Sequence, residues 1–297
     1  MKFDRLLKPR LYWKRRDREM LLGALVLSLV ANLVFWLVLG DAALLAALPV
    51  NLVLFGCAWA YLVRRDEAMR IYEHDVASNY AQIESLFSLY HTVGFDHPLP
   101  RFRNWAVSPD CCVELVREIL ENDYRTIVEC GSGISTIVIA RTLSRVGGGH
   151  VYSLESSEHY AEETRRMLRL HRLEDYSTVI TAPLGETRVG SEQFEWYEVA
   201  GLEGLPDSID LLFIDGPPGP PACLPDTRFP AFPLLQDRLA RQSTVVLDDF
   251  VREGEKGVVR RWLNETTGFD IHKTEVANEK GTCILKCTRQ DSGSNPG

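Results

Sequence analysis

What this 297-residue sequence lacks excludes several classes of protein. Its seven cysteines include no CxxC pair and its seven histidines no pair at metal-ligand spacing, so neither a disulfide framework nor a zinc centre is predicted. No Gly-Lys-Ser/Thr phosphate loop is present. The composition is otherwise ordinary, with 45% hydrophobic and 25% charged residues, which is typical of a globular chain.

A net positive charge is confined to the start of the chain. The formal net charge is −8, yet residues 1–19 hold eight Lys or Arg against three Asp or Glu. The other 278 residues therefore carry a net charge of −13, which disfavours the phosphate contacts of nucleic-acid complexes. We expect no nucleic-acid partner, and the basic head formed by residues 1–19 needs another explanation.

Two adjacent runs lack charge altogether, and they predict a transmembrane helical hairpin in residues 20–63. Met20–Gly40 has 21 residues and Ala42–Val63 has 22, whereas about 20 apolar residues span the hydrocarbon core. Two alternatives stay open. The first run could be a signal peptide, although its core would be unusually long and a second run follows at once. The hairpin could also enter the membrane without crossing it.

Flanking charges predict the orientation of this hairpin. Basic residues precede the first run and follow the second, whereas Asp41 alone lies in the turn, so both ends should face the cytoplasm. The basic head would then lie against anionic membrane lipid. Asn32 and Asn51 should lie at similar depth and bond each other across the hairpin. Alternatively, each bonds a backbone carbonyl or an oligomer partner, which leaves a homo-oligomer open.

Beyond the hairpin, alternating strands and helices predict an α/β fold. Residues 64–104 are read as a connecting helix to about residue 92 and a loop, and the aromatic stripe of that helix is expected to be core. Residues 105–290 should form a Rossmann-like, mostly parallel sheet with helices on both faces and a final antiparallel hairpin. Residues 291–297 are predicted to be a disordered tail. The predicted strands are 126–129, 150–155, 177–181, 209–215, 243–247, 270–276 and 282–287, and the predicted helices are 109–121, 135–143, 157–171, 232–239 and 258–264.

Acidic residues stand at four of the predicted strand ends: Glu129, Glu155, Asp215 and the pair Asp248-Asp249. Ligands of such sheets bind beyond the carboxyl ends of the strands, so these acids predict a site. The first strand leads into a glycine turn, residues 131–133, which allows close approach to the backbone. This turn lacks the third glycine of a dinucleotide fingerprint, and Glu129 would repel a pyrophosphate. An amino-acid ammonium beside Glu129 and a ribose beside Glu155 together predict S-adenosylmethionine.

Four segments in order carry a family resemblance: VECGSGISTIVIA, VYSLESSEHY, IDLLFIDGPPG and STVVLDDFVREGE. They resemble class I S-adenosylmethionine-dependent methyltransferases, and more closely the bacterial O-methyltransferases related to catechol and caffeoyl-CoA O-methyltransferases. The likeness covers about residues 80–288 and leaves the hairpin outside. It implies a methyltransferase domain over residues 105–290.

The resemblance also assigns roles to residues. The glycine turn would hold the methionine part of the cofactor, Glu155 its ribose, and residues 182–184 its adenine edge. Three of the strand-end acids, Asp215, Asp248 and Asp249, would be catalytic and would also hold Mg²⁺. Where the family carries a lysine base, this sequence has Pro218, so the base lies elsewhere, the metal acts alone, or the metal is absent. The full cofactor-binding set is Glu129, Gly131, Ser132, Gly133, Ser135, Glu155, Ser156, Leu184 and Asp215.

These observations predict a membrane-anchored methyltransferase that O-methylates a small-molecule, saccharide or lipid-linked acceptor in the cytoplasm. The alternatives are a non-catalytic membrane scaffold, an aminopropyltransferase and a nicotinamide-dependent oxidoreductase. Trp105, Trp196 and Tyr197 are expected to be packing residues, and Lys256 a solvated one. Candidates for acceptor binding or for the base are His91, His97, Asp226, Arg228, Arg252 and Glu255.

Overall fold

The computed structural model describes residues 15–40, 43–218 and 226–290. The chain divides into two compact units, Met1–Ala77 and Ser78–Gly297. Most of the predicted basic head, the turn at Asp41, Gly219 and the predicted tail 291–297 lie outside the described residues.

The first unit contains two long apolar helices, α1 (Arg15–Leu39) and α2 (Ala43–Thr92), the second of which continues into the other unit. Both are long and apolar enough to cross a membrane, with mean hydropathy of 2.5 over Leu22–Leu39 and 1.5 over the window that begins at Ala47. None of the first window and only 6% of the second is buried within the structure. The core helix of a soluble domain is, by contrast, mostly buried.

Polar side chains link these two helices, and the predicted bond between Asn32 and Asn51 is present. Asn51 Nδ2 donates to Asn32 Oδ1 at 2.9 Å and to the Ala47 carbonyl at 3.0 Å. Ser28 Oγ donates to Asn51 Oδ1, which adds a third polar side chain to the network. Each polar group thus gains a partner without water.

The second unit is built on a seven-stranded sheet in the order β3-β2-β1-β6-β7-β9-β8. The first five strands in this order run parallel, and β9 pairs antiparallel with both β7 and β8. The predicted fold class is confirmed. The strands are β1 (Thr126–Cys130), β2 (His150–Glu155), β3 (Ser177–Thr181), β4 (Leu184–Val189), β5 (Glu192–Tyr197), β6 (Ile209–Ile214), β7 (Leu239–Leu247), β8 (Phe269–Val276) and β9 (Thr282–Arg289).

Helices on the sheet bury two apolar clusters. One cluster includes residues from α3 and α4, such as Leu115 and Ile137, and the other includes Phe232 from α7 and Trp262 from α8. Removing this much apolar surface from water is the main stabilising term of the fold. The helices of this unit that follow α2 are α3 (Pro109–Asn122), α4 (Ile134–Arg145), α5 (Glu158–His171), α6 (Val199–Leu202), α7 (Ala231–Leu235) and α8 (Glu253–Glu265).

The sequence prediction for this unit is wrong in part. Strands β4 and β5 form a separate antiparallel hairpin that the sequence reading left out. The predicted helix 232–239 is shorter, because α7 ends at Leu235 and a 3-10 turn, Gln236–Arg238, leads directly into β7. In both segments the apolar runs are short and interrupted by polar residues, so the hydrophobic periodicity that predicts strands and helices is weak.

The aromatic stripe of α2 is also not core. Tyr80, Ile83 and Phe87 are 62%, 50% and 73% exposed. The buried positions on this part of the helix are Gln82 and Leu89, which lie on a different helical face. Gln82 donates to Asp110 Oδ2 of α3 at 2.6 Å, so a polar contact helps to fix this end of α2.

Candidate active site

The strand order brings the strand-end acids to one edge of the sheet. Strands β2, β1, β6 and β7 are parallel neighbours, so their carboxyl ends lie side by side. The turns after β1 and β6 approach closely: Gly216 N donates to the Cys130 carbonyl at 2.7 Å. A Cβ at Gly131 would lie 3.5 Å from Gly216 N. The edge is therefore the crevice where ligands of such sheets bind.

Glu129 lies one residue before the end of β1, and its side chain is completely buried. Its Oε2 accepts hydrogen bonds from Thr136 Oγ1 at 2.6 Å and Ser153 Oγ at 2.7 Å. Its Oε1 is buried without a hydrogen-bond partner among the described residues. Burial raises the pKa of Glu129 to about 7, and hydroxyl donors, including Ser135, oppose that rise.

The glycine turn connects β1 to α4 through backbone that other residues rarely adopt. Gly131 has φ of 107° and Gly133 has φ of 151°. Gly133 N donates to Thr136 Oγ1 at 3.1 Å, so the hydroxyl that holds Glu129 also fixes the start of α4. Any side chain at these two glycines would strain the turn.

Glu155 is the last residue of β2 and is 8% exposed. Its Oε2 accepts from Ser132 Oγ at 2.9 Å, and its Oε1 accepts from the Ser157 backbone N–H at 2.9 Å. Each carboxylate oxygen keeps a further lone pair for a ligand hydroxyl. We call Glu129 and Glu155 the glutamate pair; in the described part of the chain neither of them forms an ion pair.

The remaining predicted cofactor residues are distributed around this pair. Ser135 is buried in the first turn of α4, and Ser156 is half-buried beside Glu155. Ala182 N donates to the Glu155 carbonyl at 2.8 Å, so the segment after β3 starts next to the ribose acid. Leu184, which the resemblance places at the adenine edge, opens β4 and is paired with Tyr197 of β5.

Asp215, Asp248 and Asp249, which we call the aspartate cluster, come together beyond β6 and β7. Each offers a carboxylate oxygen within 4.8 Å of the others. Asp248 is completely buried, and neither of its carboxylate oxygens has a hydrogen-bond partner among the described residues. Burial raises the pKa of Asp248 to about 7, and the charges of Asp215 and Asp249 act in the same direction.

Arg228 places a buried positive charge inside this cluster. Its Nη2 lies 2.8 Å from Asp249 Oδ2 and 3.3 Å from Asp215 Oδ1. It also donates to the backbone carbonyls of Asp215 and Asp248, the latter at 2.9 Å from Nη1. Burial lowers the pKa of Arg228, but the surrounding carboxylates outweigh burial and raise it. Arg228 is 5% exposed, so this guanidinium is a permanent part of the site.

The aspartate cluster suits Mg²⁺ by donor type but not by arrangement. Three carboxylates are the hard oxygen ligands that Mg²⁺ prefers. Two of the three, Asp215 and Asp249, already bind the guanidinium of Arg228. A divalent ion on the same oxygens would have to share them with a cation that cannot lose its charge.

Further charged residues surround the cluster. Arg252 Nη1 lies 3.0 Å from Asp249 Oδ2, but its side chain is 58% exposed. Glu255 Oε1 lies 3.8 Å from Arg228 Nη1, with a side chain that is only 12% exposed. Lys280 Nζ donates to the carbonyls of Asn104 and Ala106 at 2.9 Å and lies 4.0 Å from Asp249 Oδ1. The hairpin between β8 and β9 thus reaches the site.

Several other candidates lie away from these acids. Asp226 pairs with Arg261 at 3.3 Å, and Lys256 pairs with Glu253 at 2.7 Å on the surface. His91 is exposed, and the His97 ring packs against His171 with centroids 5.6 Å apart. Trp196 and Tyr197 are buried as the packing interpretation predicts, whereas Trp105 is 82% exposed and that interpretation is wrong for it.

Sequence reasoning missed the residues that support the predicted acids. Ser153 stands opposite Glu129 in the register of β1 and β2, which strand pairing could have indicated. Thr136 stands three residues after Gly133, at the usual spacing of a helix-start bond. The sequence predicts Arg228 only as a candidate for acceptor binding or for the base and does not indicate Lys280, because no local pattern brings either one to the strand ends.

Comparison with known proteins agrees with this geometry. Residues 128–250 match the model of a methyltransferase domain family, and this span contains both the glutamate pair and the aspartate cluster. The match covers less than half of the chain.

Three solved structures are among those to which this chain is similar. A methyltransferase from Podospora anserina bound to SAH is 14% identical, with a TM-score of 0.51, and the alignment covers 74% of this chain and 96% of that one. An O-methyltransferase from Bacillus cereus in complex with SAH is 22% identical, with a TM-score of 0.47 and coverage of 70% and 90%. An O-methyltransferase from Streptomyces achromogenes in complex with SAM is 18% identical, with a TM-score of 0.49 and coverage of 72% and 96%. At 14% identity, the likeness to the Podospora anserina structure shows the fold alone, which is that of a Rossmann-like methyltransferase.

Proposed function

We propose that this chain is a membrane-anchored, S-adenosylmethionine-dependent O-methyltransferase. Its acceptor would be a small-molecule, saccharide or lipid-linked hydroxyl compound on the cytoplasmic side. The observation that carries the proposal is the glutamate pair, since these two buried acids at neighbouring strand ends have no cationic partner among the described residues. A cationic ligand would supply the missing charge.

The glutamate pair supports binding of the methyl donor in particular. The unpartnered Oε1 of Glu129 would accept from the ammonium group of the methionine part. Glu155, one strand further, would accept from the ribose hydroxyls through its free lone pairs. The glycine turn would let the donor approach the backbone between these acids. The relatives of the same fold that are named as complexes contain SAM or SAH, which supports this choice.

The aspartate cluster would receive the acceptor. Bound S-adenosylmethionine supplies a methyl group on a positively charged sulfur. Asp248 would hold the acceptor hydroxyl through one of its unpartnered oxygens and take its proton as the acceptor oxygen bonds to the methyl carbon. The bond from that carbon to sulfur breaks, and its electron pair stays on sulfur. Arg228 would keep Asp215 and Asp249 in place during transfer, so positioning supplies much of the catalysis.

The long apolar helices support anchoring. Residues such as Leu37, Val38 and Phe55 are 69%, 74% and 72% exposed, which a water-facing surface would not favour. A bilayer would cover them, and α1 and α2 are long enough to span it. The acceptor would then reach the site from the membrane surface or the cytoplasm.

The test is methyl transfer by the full-length chain in detergent micelles. S-adenosylmethionine carrying a labelled methyl group would be incubated with the protein and with lipid and aqueous extracts of bacterial cells. We expect label in a hydroxyl compound, with loss of transfer in Glu155→Ala. Glu158→Ala is the matched control, because Glu158 is an exposed acid on α5 that pairs only with Arg165 among its described contacts.

Further measurements on the same preparation identify the alternatives. A folded chain that binds the donor but transfers no label to any extract would indicate a scaffold. Transfer of an aminopropyl group from the decarboxylated donor would indicate an aminopropyltransferase. Saturable binding of a nicotinamide dinucleotide, with none of S-adenosylmethionine, would indicate an oxidoreductase and overturn the proposal.

A further inference from the structure

The aspartate cluster contains more internal positive charge than a metal-binding carboxylate site needs. Arg228 donates to two carboxylates and to the backbone carbonyls that follow β6 and β7, so it ties both strand ends together. It is 5% exposed, and Glu255 at 3.8 Å provides a third acidic neighbour for the Arg228 guanidinium. The guanidinium therefore bridges the acids where a metal ion would otherwise bridge them.

The two kinds of cation are not compatible on these oxygens. A divalent ion bound to Asp215 and Asp249 would come within a few ångströms of Arg228, which stays charged at all relevant pH values. Repulsion between a divalent and a monovalent charge at such a distance is large in a buried site. Arg228 cannot swing out easily, because its bonds to the Asp215 and Asp248 carbonyls fix it independently of the carboxylates.

We propose that Arg228 is the resident cation of this site and replaces a divalent metal, so that methyl transfer proceeds without one. Arg228 is thereby a positioning residue, since it acts through Asp215 and Asp249. This inference rests on the proposed function only in naming methyl transfer as the reaction that proceeds without a metal. Exclusion of a metal by Arg228 is a binding property, which can be measured without donor or acceptor.

The experiment measures Mn²⁺ binding to the full-length chain in detergent by electron paramagnetic resonance. Wild type should show no saturable binding, and Arg228→Gln should bind Mn²⁺ at least about a hundredfold more tightly, because one buried positive charge is gone. Arg252→Gln is the matched control. It removes a positive charge that also contacts Asp249 and Glu255, but from an exposed side chain, so it should behave as wild type.

Two further measurements keep the proposal testable if Arg228→Gln does not fold. Arg228→Lys retains the charge and should bind Mn²⁺ no better than wild type. Wild-type methyl transfer should proceed at the same rate in EDTA as in Mg²⁺.

Three results would overturn the proposal. One is saturable Mn²⁺ binding by wild type that Asp248→Asn abolishes. Another is a folded Arg228→Gln that gains no affinity for Mn²⁺. The third is transfer that stops in EDTA and returns with Mg²⁺. Absence of transfer under all conditions, with wild type still free of Mn²⁺, would contradict the proposed function alone.

Discussion

The glutamate pair and the aspartate cluster occupy the same edge of the sheet but satisfy their charges in opposite ways. Glu129 and Glu155 accept only from hydroxyls and a backbone N–H among the described residues. Asp215 and Asp249 instead bind a buried guanidinium. One half of the edge thus lacks a cation, and the other half already has one.

The two halves of the edge should therefore accept different ligands. Buried carboxylates without a cation are costly, so the glutamate pair favours a ligand that brings positive charge. S-adenosylmethionine does so through its ammonium and sulfonium groups. The aspartate cluster is already compensated and favours a neutral acceptor, with Asp248 left to take a proton.

Removing the guanidinium should have the largest effect. Arg228→Met leaves Asp215 and Asp249 buried without their main partner, which should lower the free energy of unfolding by about 3–5 kcal/mol. Denaturation of the full-length chain, followed by circular dichroism, measures this change. Arg169→Met removes a pair between Arg169 and Glu162 that is half exposed, and it should cost far less, because exposed ion pairs contribute little to stability. Equal losses in both variants would contradict the assignment of Arg228.

Neutralising Glu129 should have the next largest effect. Glu129→Gln preserves the shape and the bonds to Thr136 and Ser153 but removes the charge that faces the donor ammonium. A lost charged hydrogen bond corresponds to about 10- to 100-fold weaker binding of S-adenosylmethionine above neutral pH. Calorimetric titration measures it, with Glu158→Gln as an exposed control. Unchanged affinity in Glu129→Gln would mean that the ammonium binds elsewhere.

The pH dependence of donor binding should follow the titration of Glu129. Its pKa is raised to about 7 by burial, so the carboxyl is largely protonated below that pH and ionised above it. Affinity for the donor should therefore fall about tenfold from about pH 8 to about pH 6. In Glu129→Gln the same profile should be flat. A wild-type profile without this slope would show that Glu129 is ionised throughout the range.

The smallest expected effect lies in the helical hairpin. Asn51→Leu removes bonds to Ser28 and Asn32, and polar pairs of this kind in membranes contribute about 0.6–2 kcal/mol. Unfolding in mixed micelles by increasing sodium dodecyl sulfate would measure the loss. Leu52→Val, at a neighbouring position that is 64% exposed, should change it little. A greater loss from Leu52→Val would show that α2 packs through the face that carries Leu52 and not through the face that carries Asn51.

Much of the fold follows from the sequence. Apolar runs with β-branched residues predict β1, β6 and β7, and acids at their ends indicate the edge that carries the site. The hairpin of β4 and β5 does not follow, because its strands alternate polar residues with few aliphatic ones. The aromatic stripe of α2 was also misjudged, because spacing shows that Tyr80 and Phe87 share a face but not whether anything covers it.

The site is predicted only in part, for a similar reason. Acids at strand ends are visible because topology places them together without knowledge of packing. The partner of those acids is not visible, since Arg228 reaches Asp215 and Asp249 from a segment whose position depends on tertiary contacts. The hydroxyls that bind Glu129 are not visible either, because Thr136 and Ser153 belong to elements other than β1 and reach Glu129 only in the folded chain.

The most direct test of the contrast is a pair of calorimetric titrations on one preparation of the full-length chain. S-adenosylmethionine and Mn²⁺ would each be titrated separately at the same pH. We expect saturable binding of the donor and none of the metal, because the aspartate cluster has a buried cation and the glutamate pair has none in the part of the chain that the structure describes. Saturable binding of Mn²⁺ by a folded chain that does not bind the donor would contradict it.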